Sequence, residues 1–143
     1  MKFWDSSAMV PLLVQEPMTP SLLRLLREDS VMHVWWGSEV ECVSALARLE
    51  REAALASESM TQAMMRLRAL RASWQEIQPA EMLKEIAFRL LRVHKLRAAD
   101  SLQLAAALVA CESRPSSLEF VCLDERLSLA AQREGFNVVN LSE

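Results

Sequence analysis

The chain has 143 residues and a mass of 16.2 kDa, which suits one domain over residues 1–143 with its own hydrophobic core. Hydrophobic residues make up 52% of the sequence, and only 2 glycines and 5 prolines occur, which excludes a largely disordered chain. The formal net charge of -3 disfavours a protein that coats nucleic acid non-specifically, because such binding depends on positive charge.

Short apolar strands and helices alternate along the chain. Periodicity and turn residues predict these elements in order: strand 1–4, helix 6–15, helix 21–28, strand 31–36, helix 38–56, helix 59–74, extended piece 74–78, helix 80–93, helix 97–111, strand 120–123, helix 127–133 and strand 136–141. Ser38 is expected to be the N-cap of the third helix. Because strands that alternate with helices pair in parallel, we predict an α/β sandwich of three layers. Its central, mostly parallel sheet has about four to five short strands flanked by helices.

Other features narrow the class of protein. No apolar run is long enough to span a bilayer, and Asp5 comes too early for a signal peptide, so we expect a cytoplasmic protein with no membrane partner. The cysteines are an odd number and lie far apart among apolar neighbours, which predicts buried free thiols rather than zinc ligands or disulfides. These cysteines are Cys42, Cys111 and Cys122.

Three acids have positions that suggest a site. Asp5 and Asp124 directly follow apolar strands, and the carboxyl ends of parallel strands meet at one edge of a sheet, where α/β folds place their sites. Asp100 opens a helix, and its spacing from Leu104 and Leu108 puts it on the buried stripe. An Asp after a strand is also a common turn former, so Asp124 taken alone has that simpler interpretation.

Glu41 falls in the first turn of the helix after the second predicted strand, at the same edge. An acid there also complements the helix macrodipole, and Ser38 and Glu41 have the spacing of a capping box. Helical spacing does not separate Glu41 from Glu39, which points at least as much toward the buried stripe. The residues alone therefore leave both the capping role and the choice between the two glutamates open.

Acids that converge on one edge favour a divalent metal. Carboxylates packed together repel one another unless a cation neutralises them, and Mg²⁺ suits a few carboxylates plus a phosphate. Such a metal promotes attack of water on a phosphodiester. Competing catalytic sets are weak, because His33 falls inside a strand, His94 lies in a basic segment and no glycine-rich phosphate loop occurs. A haloacid-dehalogenase phosphatase would require a second Asp where Ser7 stands.

Four segments carry a resemblance to a known family. They are residues 3–8 (FWDSSA), 38–46 (SEVECVSAL), 96–105 (LRAADSLQLA) and 122–127 (CLDERL). In this order and spacing they resemble the signature blocks of PIN domains, and most of all those of the VapC toxins of bacterial toxin–antitoxin pairs. The fold that this resemblance implies is a PIN-like three-layer sandwich over nearly the whole chain.

The resemblance implies an endoribonuclease that depends on Mg²⁺ or Mn²⁺. Asp5, Glu41, Asp100 and Asp124 match the catalytic acids of the family, and the three Asp are the expected metal ligands. The likeness also selects Glu41 over Glu39 and implies that Ser7 orients Asp5. The implied partners are an RNA substrate, a cognate antitoxin and a second copy in a homodimer. The alternatives are a non-catalytic PIN-like module that binds RNA or protein, and a metal-dependent phosphatase.

Three further groups of residues have two interpretations each. Basic residues shortly before Asp100 form either an RNA-backbone rim or a solvated helix face; they are Arg89, Arg92, His94, Lys95 and Arg97, of which Arg92, Lys95 and Arg97 are the predicted substrate-binding residues. Tryptophans in or beside strands are expected in the core, with base stacking by one of them as the alternative; they are Trp4, Trp35 and Trp36. Methionines on helix 59–74 are expected to pack in the core, with a dimer or antitoxin groove on this helix and the preceding one as the alternative; they are Met60, Met64 and Met65.

Overall fold

The structure, a computed structural model, describes residues 1–141; residues 142 and 143, which the predicted domain includes, lie outside the described residues. The helices are α1 (Ser6–Leu13), α2 (Thr19–Glu28), α3 (Ser38–Arg51), α4 (Ser57–Arg71), α5 (Glu81–Val93), α6 (Ala98–Ala110) and α7 (Glu125–Arg133). The strands are β1 (Lys2–Trp4), β2 (Met32–Trp35), β3 (Gln75–Ile77), β4 (Glu119–Val121) and β5 (Asn137–Val138). A short 3-10 helix, Pro115–Ser117, precedes β4.

The described strands form one five-stranded sheet in the order β3-β2-β1-β4-β5, and every neighbouring pair is parallel. Strand β1 is the middle strand, and in its pairing with β4 Lys2 lies opposite Glu119 and Trp4 opposite Val121. This arrangement confirms the predicted α/β fold with a central sheet of short strands flanked by helices. Because all strands run the same way, their carboxyl ends lie along one edge of the sheet.

Consecutive side chains of β1 enter different cores because side chains alternate across a strand. Phe3 is fully buried on the face covered by α5 and α6, where its ring stacks on Phe120 with centroids 5.4 Å apart. Trp4 is fully buried on the opposite face, with residues of α1, α3 and α4. Burial on both faces explains why the strands are continuous apolar runs rather than alternating ones.

Several predicted boundaries differ from the observed ones. The helix predicted over 38–56 ends at Arg51, because Ala53 has a left-handed backbone (φ 58) that cannot continue a helix. The strand predicted over 136–141 is only Asn137–Val138, since its neighbour β4 offers few residues to pair with. The N-cap of α3 is Gly37 rather than Ser38.

Predicted core residues are mostly buried. The three cysteines are free and buried, as predicted. Trp4 and Trp35 are buried at 0% and 5% exposure, but Trp36 is 49% exposed, so its placement in the core is wrong. The reason is that β2 ends at Trp35, so Trp36 lies in the turn that leads to α3 and not in the sheet. Among residues 1–141, no helix has the length and apolar character needed to cross a membrane.

Candidate active site

Neighbouring strands bring two of the predicted acids to the carboxyl edge of the sheet. Asp5 follows β1 directly, and its backbone N–H donates to the carbonyl of Val121, the last residue of β4, at 3.0 Å. Asp124 follows β4 shortly after. Both acids are N-caps, Asp5 of α1 and Asp124 of α7. The N-cap position favours short polar side chains such as Asp, because they accept hydrogen bonds from the first backbone N–H groups of the helix.

Asp5 is the most buried of the acids, with 4% of its surface exposed. Its Oδ2 accepts hydrogen bonds from the Ser7 backbone N–H at 3.1 Å and from the Ser7 hydroxyl at 2.5 Å. Burial raises the pKa of Asp5 from 3.8 to about 6; the Ser7 hydrogen bonds oppose the rise, and the charges of Glu41 and Asp100 add to it. A carboxylate in this position is electrostatically strained and would gain from a nearby cation.

Ser7 also connects Asp5 to the segment that follows β4, because the Ser7 hydroxyl oxygen accepts a hydrogen bond from the Leu123 backbone N–H at 2.9 Å. The Cys122 thiol lies 3.6 Å from Asp5 Oδ2 and 3.7 Å from the Ser7 hydroxyl. Burial, followed by the charge of Asp5, raises the pKa of Cys122 to about 12, so the sulfur is a neutral thiol beside the carboxylate. Ser7 thus lies where a residue that orients Asp5 would have to lie.

Glu41 is held by two hydrogen bonds to the same carboxylate oxygen. The Ser6 hydroxyl donates to Oε1 at 2.7 Å, and the Gln103 side-chain amide donates to Oε1 at 3.0 Å. The same Gln103 nitrogen donates to the Ser38 hydroxyl at 2.7 Å, and both Gln103 and Ser38 are fully buried. These contacts join α1, α3 and α6 around Glu41.

These contacts decide between the interpretations of Glu41. No side chain caps the start of α3, and the Ser38 hydroxyl is engaged with Gln103, so the capping box is absent. Glu39 instead forms an ion pair with Arg71 at 3.0 Å on the partly exposed flank of α3. Of the two glutamates, Glu41 is therefore the one that joins the other acids.

Asp100 and Asp124 complete the group. Asp100 lies in the first turn of α6, and burial raises its pKa, with the charge of Asp124 adding to the rise while Arg97 and Arg126 oppose it. Asp124 Oδ1 accepts from the Leu127 backbone N–H at 3.0 Å, as an N-cap does. Asp100 therefore interacts electrostatically with acids on both sides, since its charge also raises the pKa of Asp5. The structure brings the four predicted acids together at one edge.

The side chains are not arranged as a closed metal cage. Among residues 1–141, no three His, Cys, Asp or Glu side chains lie close enough together to hold an ion as they stand. Yet the donors suit a hard cation: within the same residues, Asp5 Oδ1, Glu41 Oε2 and Asp124 Oδ2 receive no hydrogen bond from the protein. Binding an ion would therefore require these side chains to move closer together. The oxygens that receive no hydrogen bond are the ones available as ligands.

Several solved structures share this architecture. The chain superposes on a toxin–antitoxin complex from Klebsiella pneumoniae with a TM-score of 0.67 at 14% identity, over 100% of this chain and 99% of that one. It superposes on the sarcin–ricin loop cleaving toxin VapC20 of Mycobacterium tuberculosis (TM-score 0.67, 18% identity, 95% and 96% covered). It also superposes on VapBC2 from Rickettsia felis bound to a promoter DNA fragment (0.66, 12%, 97% and 97%). The chain has the PIN-domain fold. No protein-family model and no curated protein sequence matches the chain.

The five basic residues that precede Asp100 divide into two groups. Arg92, Lys95 and Arg97 are exposed, and within residues 1–141 none of them forms an ion pair. The other two members of the basic segment, Arg89 and His94, bind Glu134. Glu134 accepts from Arg89 at 2.9 Å and from His94 at 2.6 Å, and His94 is only 9% exposed.

The structure also shows contacts that sequence reasoning missed. Ser6 and Gln103 were not predicted to bind Glu41, and Arg126 was not predicted to lie near Asp100. A signal for Gln103 existed, because a glutamine next to Leu104 on the buried stripe of α6 must find a polar partner inside the protein. Ser6 carried no comparable signal, since its partner is 35 residues away.

The methionines of α4 belong mainly to the core. Met60 and Met64 pack against the core formed with α1 and α3, while Met65 is 61% exposed. An apolar crevice with a volume of about 480 Å³ lies between α1, α2 and α4. Its walls include Leu23, Leu26 and Leu70, and Leu23 is 39% exposed. A second crevice, of about 400 Å³, lies against the predicted pair of helices, where Leu49 of α3 faces Ser59 and Gln62 of α4.

Proposed function

We propose that the protein is an endoribonuclease that depends on Mg²⁺ or Mn²⁺ and acts as the toxin of a toxin–antitoxin pair. The observation that carries the proposal is the convergence of Asp5, Glu41, Asp100 and Asp124 on one sheet edge, each oriented by its own helix start or by buried hydrogen bonds. A protein gains nothing in stability from a buried, unneutralised carboxylate among other acids, so the group is better explained by a cation that it receives.

Asp5, Asp100 and Asp124 are the residues that would hold the ion. When bound, Mg²⁺ or Mn²⁺ supplies positive charge that stabilises a phosphodiester under attack by water. Asp5 is positioned for this by Ser7, which fixes one of its oxygens and leaves the other open.

Glu41 has a separate role in this proposal. Ser6 and Gln103 hold one oxygen, Oε1, while within residues 1–141 the other oxygen, Oε2, receives no hydrogen bond and is open to a ligand at the group of acids. There it would accept a proton from the attacking water, which is the task of a general base within reach of its substrate. Arg97 and Arg126, whose charges act on Asp100, would contact the phosphate backbone, together with the predicted Arg92 and Lys95.

The chain supplies a matched pair of variants for the test. Glu41→Gln should lower Mn²⁺-dependent cleavage of a fluorogenic mixed-sequence RNA by at least about 100-fold, the usual contribution of a general base. Glu39→Gln, two residues away on the same helix, should retain full activity because Glu39 pairs with Arg71 on the flank of α3. Asp5→Asn and Asp100→Asn should also abolish cleavage while circular dichroism shows a folded protein.

The outcomes separate the alternatives. If Asp5→Asn or Asp100→Asn cleaves RNA at the wild-type rate, the proposed active site is wrong. If the wild-type protein binds RNA but cuts none with either metal, a non-catalytic PIN-like module is the better account. Turnover of p-nitrophenyl phosphate without RNA cleavage would instead support the phosphatase. In cells, induction of the wild-type chain should arrest growth, and induction of Asp5→Asn should not.

The antitoxin would bind the apolar crevice between α1, α2 and α4. The similar Klebsiella structure is a toxin–antitoxin complex, which supports an antitoxin as the partner. The crevice offers it an apolar contact, because the partly exposed Leu23 lies in its wall. Leu23→Glu should prevent co-purification with the product of the reading frame adjacent to this gene, since it puts a charge into an apolar contact. Leu91→Glu, which is 40% exposed on α5, is the control. Static light scattering on both variants tests the predicted homodimer.

A further inference from the structure

Trp36 is exposed to solvent at the carboxyl edge of the sheet, where the four acids also lie. Trp36 is 49% exposed, whereas Trp4, Trp35 and Trp74 are exposed by 0%, 5% and 8%. An indole ring is among the largest apolar groups that a protein can bury, so its exposure beside a polar site is informative. No part of the proposed active site uses this ring.

The position of Trp36 follows from the sheet register. In the pairing of β2 with β1, Phe3 lies opposite His33. Trp36 directly follows β2, and Asp5 directly follows β1. Because β1 and β2 are parallel neighbours in the sheet, Trp36 and Asp5 lie at adjacent strand ends on its carboxyl edge.

The backbone that carries the ring is firmly held. The backbone N–H of Trp36 donates to the carbonyl of Ile77 at 3.0 Å, which extends the contact between β2 and β3. The ring meets the buried Trp35 edge to face, with centroids 6.3 Å apart and planes at 70°. A ring restrained in this way loses little conformational entropy when it stacks on a ligand.

Charge is distributed unevenly around the acids. Arg97 and Arg126 act on Asp100, on the side of β4 and α6. Trp36 lies on the opposite side, at the end of β2, where the charged neighbours on the next helix are acids and Arg71 is engaged with Glu39. Across the edge, the order is therefore an exposed aromatic ring, the acids, and then the cations of Arg97 and Arg126. A phosphate backbone fits the cations, and a flat, uncharged group fits the ring.

We propose that Trp36 is a stacking platform for an unpaired base of the RNA, adjacent to the bond that the acids cut. The proposal rests on the proposed function and deepens it, because a base stacked on Trp36 has left its own helix. The ring then contributes to recognition of the base while the arginines position the phosphates.

Binding isolates this role from catalysis. The probe is a fluorescein-labelled oligouridylate of about 12 nucleotides, titrated by anisotropy into the non-cleaving Asp5→Asn protein with Mg²⁺ present. Base–aromatic stacking contributes about 1–3 kcal/mol, so adding Trp36→Ala should weaken binding by about 5- to 150-fold. Trp36→Phe should retain most of the affinity, and Phe88→Ala, which removes a 56% exposed ring from α5, should leave it unchanged.

A ligand without bases gives a readout that a merely structural role would not produce. Trp36→Ala should have no effect on binding of an abasic ribose-phosphate oligomer of the same length, because nothing remains to stack. In the cleaving protein, Trp36→Ala should raise KM more than it lowers kcat. An equal loss of affinity for both oligomers, or no loss for either, would overturn the proposal. So would unchanged RNA binding with loss of the antitoxin, which would assign the ring to a protein contact.

This result is separable from that of the proposed function. If the wild-type protein cuts no RNA, the proposed nuclease is wrong, yet the anisotropy measurement still decides whether Trp36 binds a base. If the protein cuts RNA and Trp36→Ala binds and cuts like the wild type, only the stacking platform is wrong.

Discussion

Replacing Asp5 by Asn should stabilise the metal-free protein, although it destroys the proposed site. Asp5 is almost fully buried, and its pKa is raised from 3.8 to about 6. Asn has nearly the same shape, is also a favoured N-cap, and its carbonyl oxygen can accept the two hydrogen bonds from Ser7. The substitution thus removes the buried charge and keeps the local structure.

The size of the effect follows from proton linkage. Because the folded state binds the Asp5 proton more tightly than the unfolded state, this group stabilises the fold fully below about pH 4, and the stability is lost as the pH rises toward about 6. A rise in pKa from 3.8 to about 6 corresponds to about 3 kcal/mol in the free energy of unfolding at neutral pH. This is the direction opposite to that of an acid in a stabilising ion pair.

Urea unfolding from about pH 4 to about pH 8 in EDTA measures this difference. The free energy of unfolding of Asp5→Asn minus that of the wild type should grow by about 3 kcal/mol between about pH 4 and pH 7. Added Mn²⁺ should then stabilise the wild type more than the variant, because only the wild type offers the Asp5 carboxylate. Glu39→Gln is the control, and an exposed ion pair of this kind contributes less than about 1 kcal/mol.

A pH-independent difference between the two proteins would contradict this prediction, as would a variant that is less stable than the wild type above pH 7. Either result would mean that Asp5 is ionised at little cost in the folded protein. The acids would then have no electrostatic need for a cation, and the main argument for a metal site would be lost.

Three further perturbations test other contacts. Gln103→Met removes both hydrogen bonds that the Gln103 amide donates, so kcat for RNA cleavage should fall about tenfold or more as Glu41 loses its restraint. Gly37→Ala would place a Cβ 2.5 Å from the Trp35 indole nitrogen, and thermal unfolding should show a loss of about 1–3 kcal/mol; a stability equal to the wild type would contradict the packing described. Cys122, whose pKa is raised to about 12, should resist iodoacetamide at neutral pH until the protein is unfolded, as mass spectrometry would show.

Sequence patterns predicted the fold well where hydrophobic periodicity was strong. The continuous apolar run before Asp5 indicated a strand buried on both faces, and β1 is the middle strand of the sheet. Predictions failed where one local feature competed with another. Ala53 has a left-handed backbone, which ends α3 earlier than predicted. Trp36 was expected in the core because it directly follows Trp35 in sequence, but β2 ends between the two residues and Trp36 is exposed.

The acids themselves were determined by the sequence, since strand ends and the buried stripe of α6 already indicated Asp5, Asp100 and Asp124. The sequence did not single out Glu41, because Ser38, Glu39 and Glu41 share one helical turn. There a glutamate can complete a capping box, complement the helix macrodipole or face the site. Only the tertiary structure decided it: Ser6 and Gln103, from other helices, bind Glu41, while Arg71 binds Glu39. Local spacing records which face of a helix a residue is on, whereas its partner depends on chain segments that are brought together only by folding.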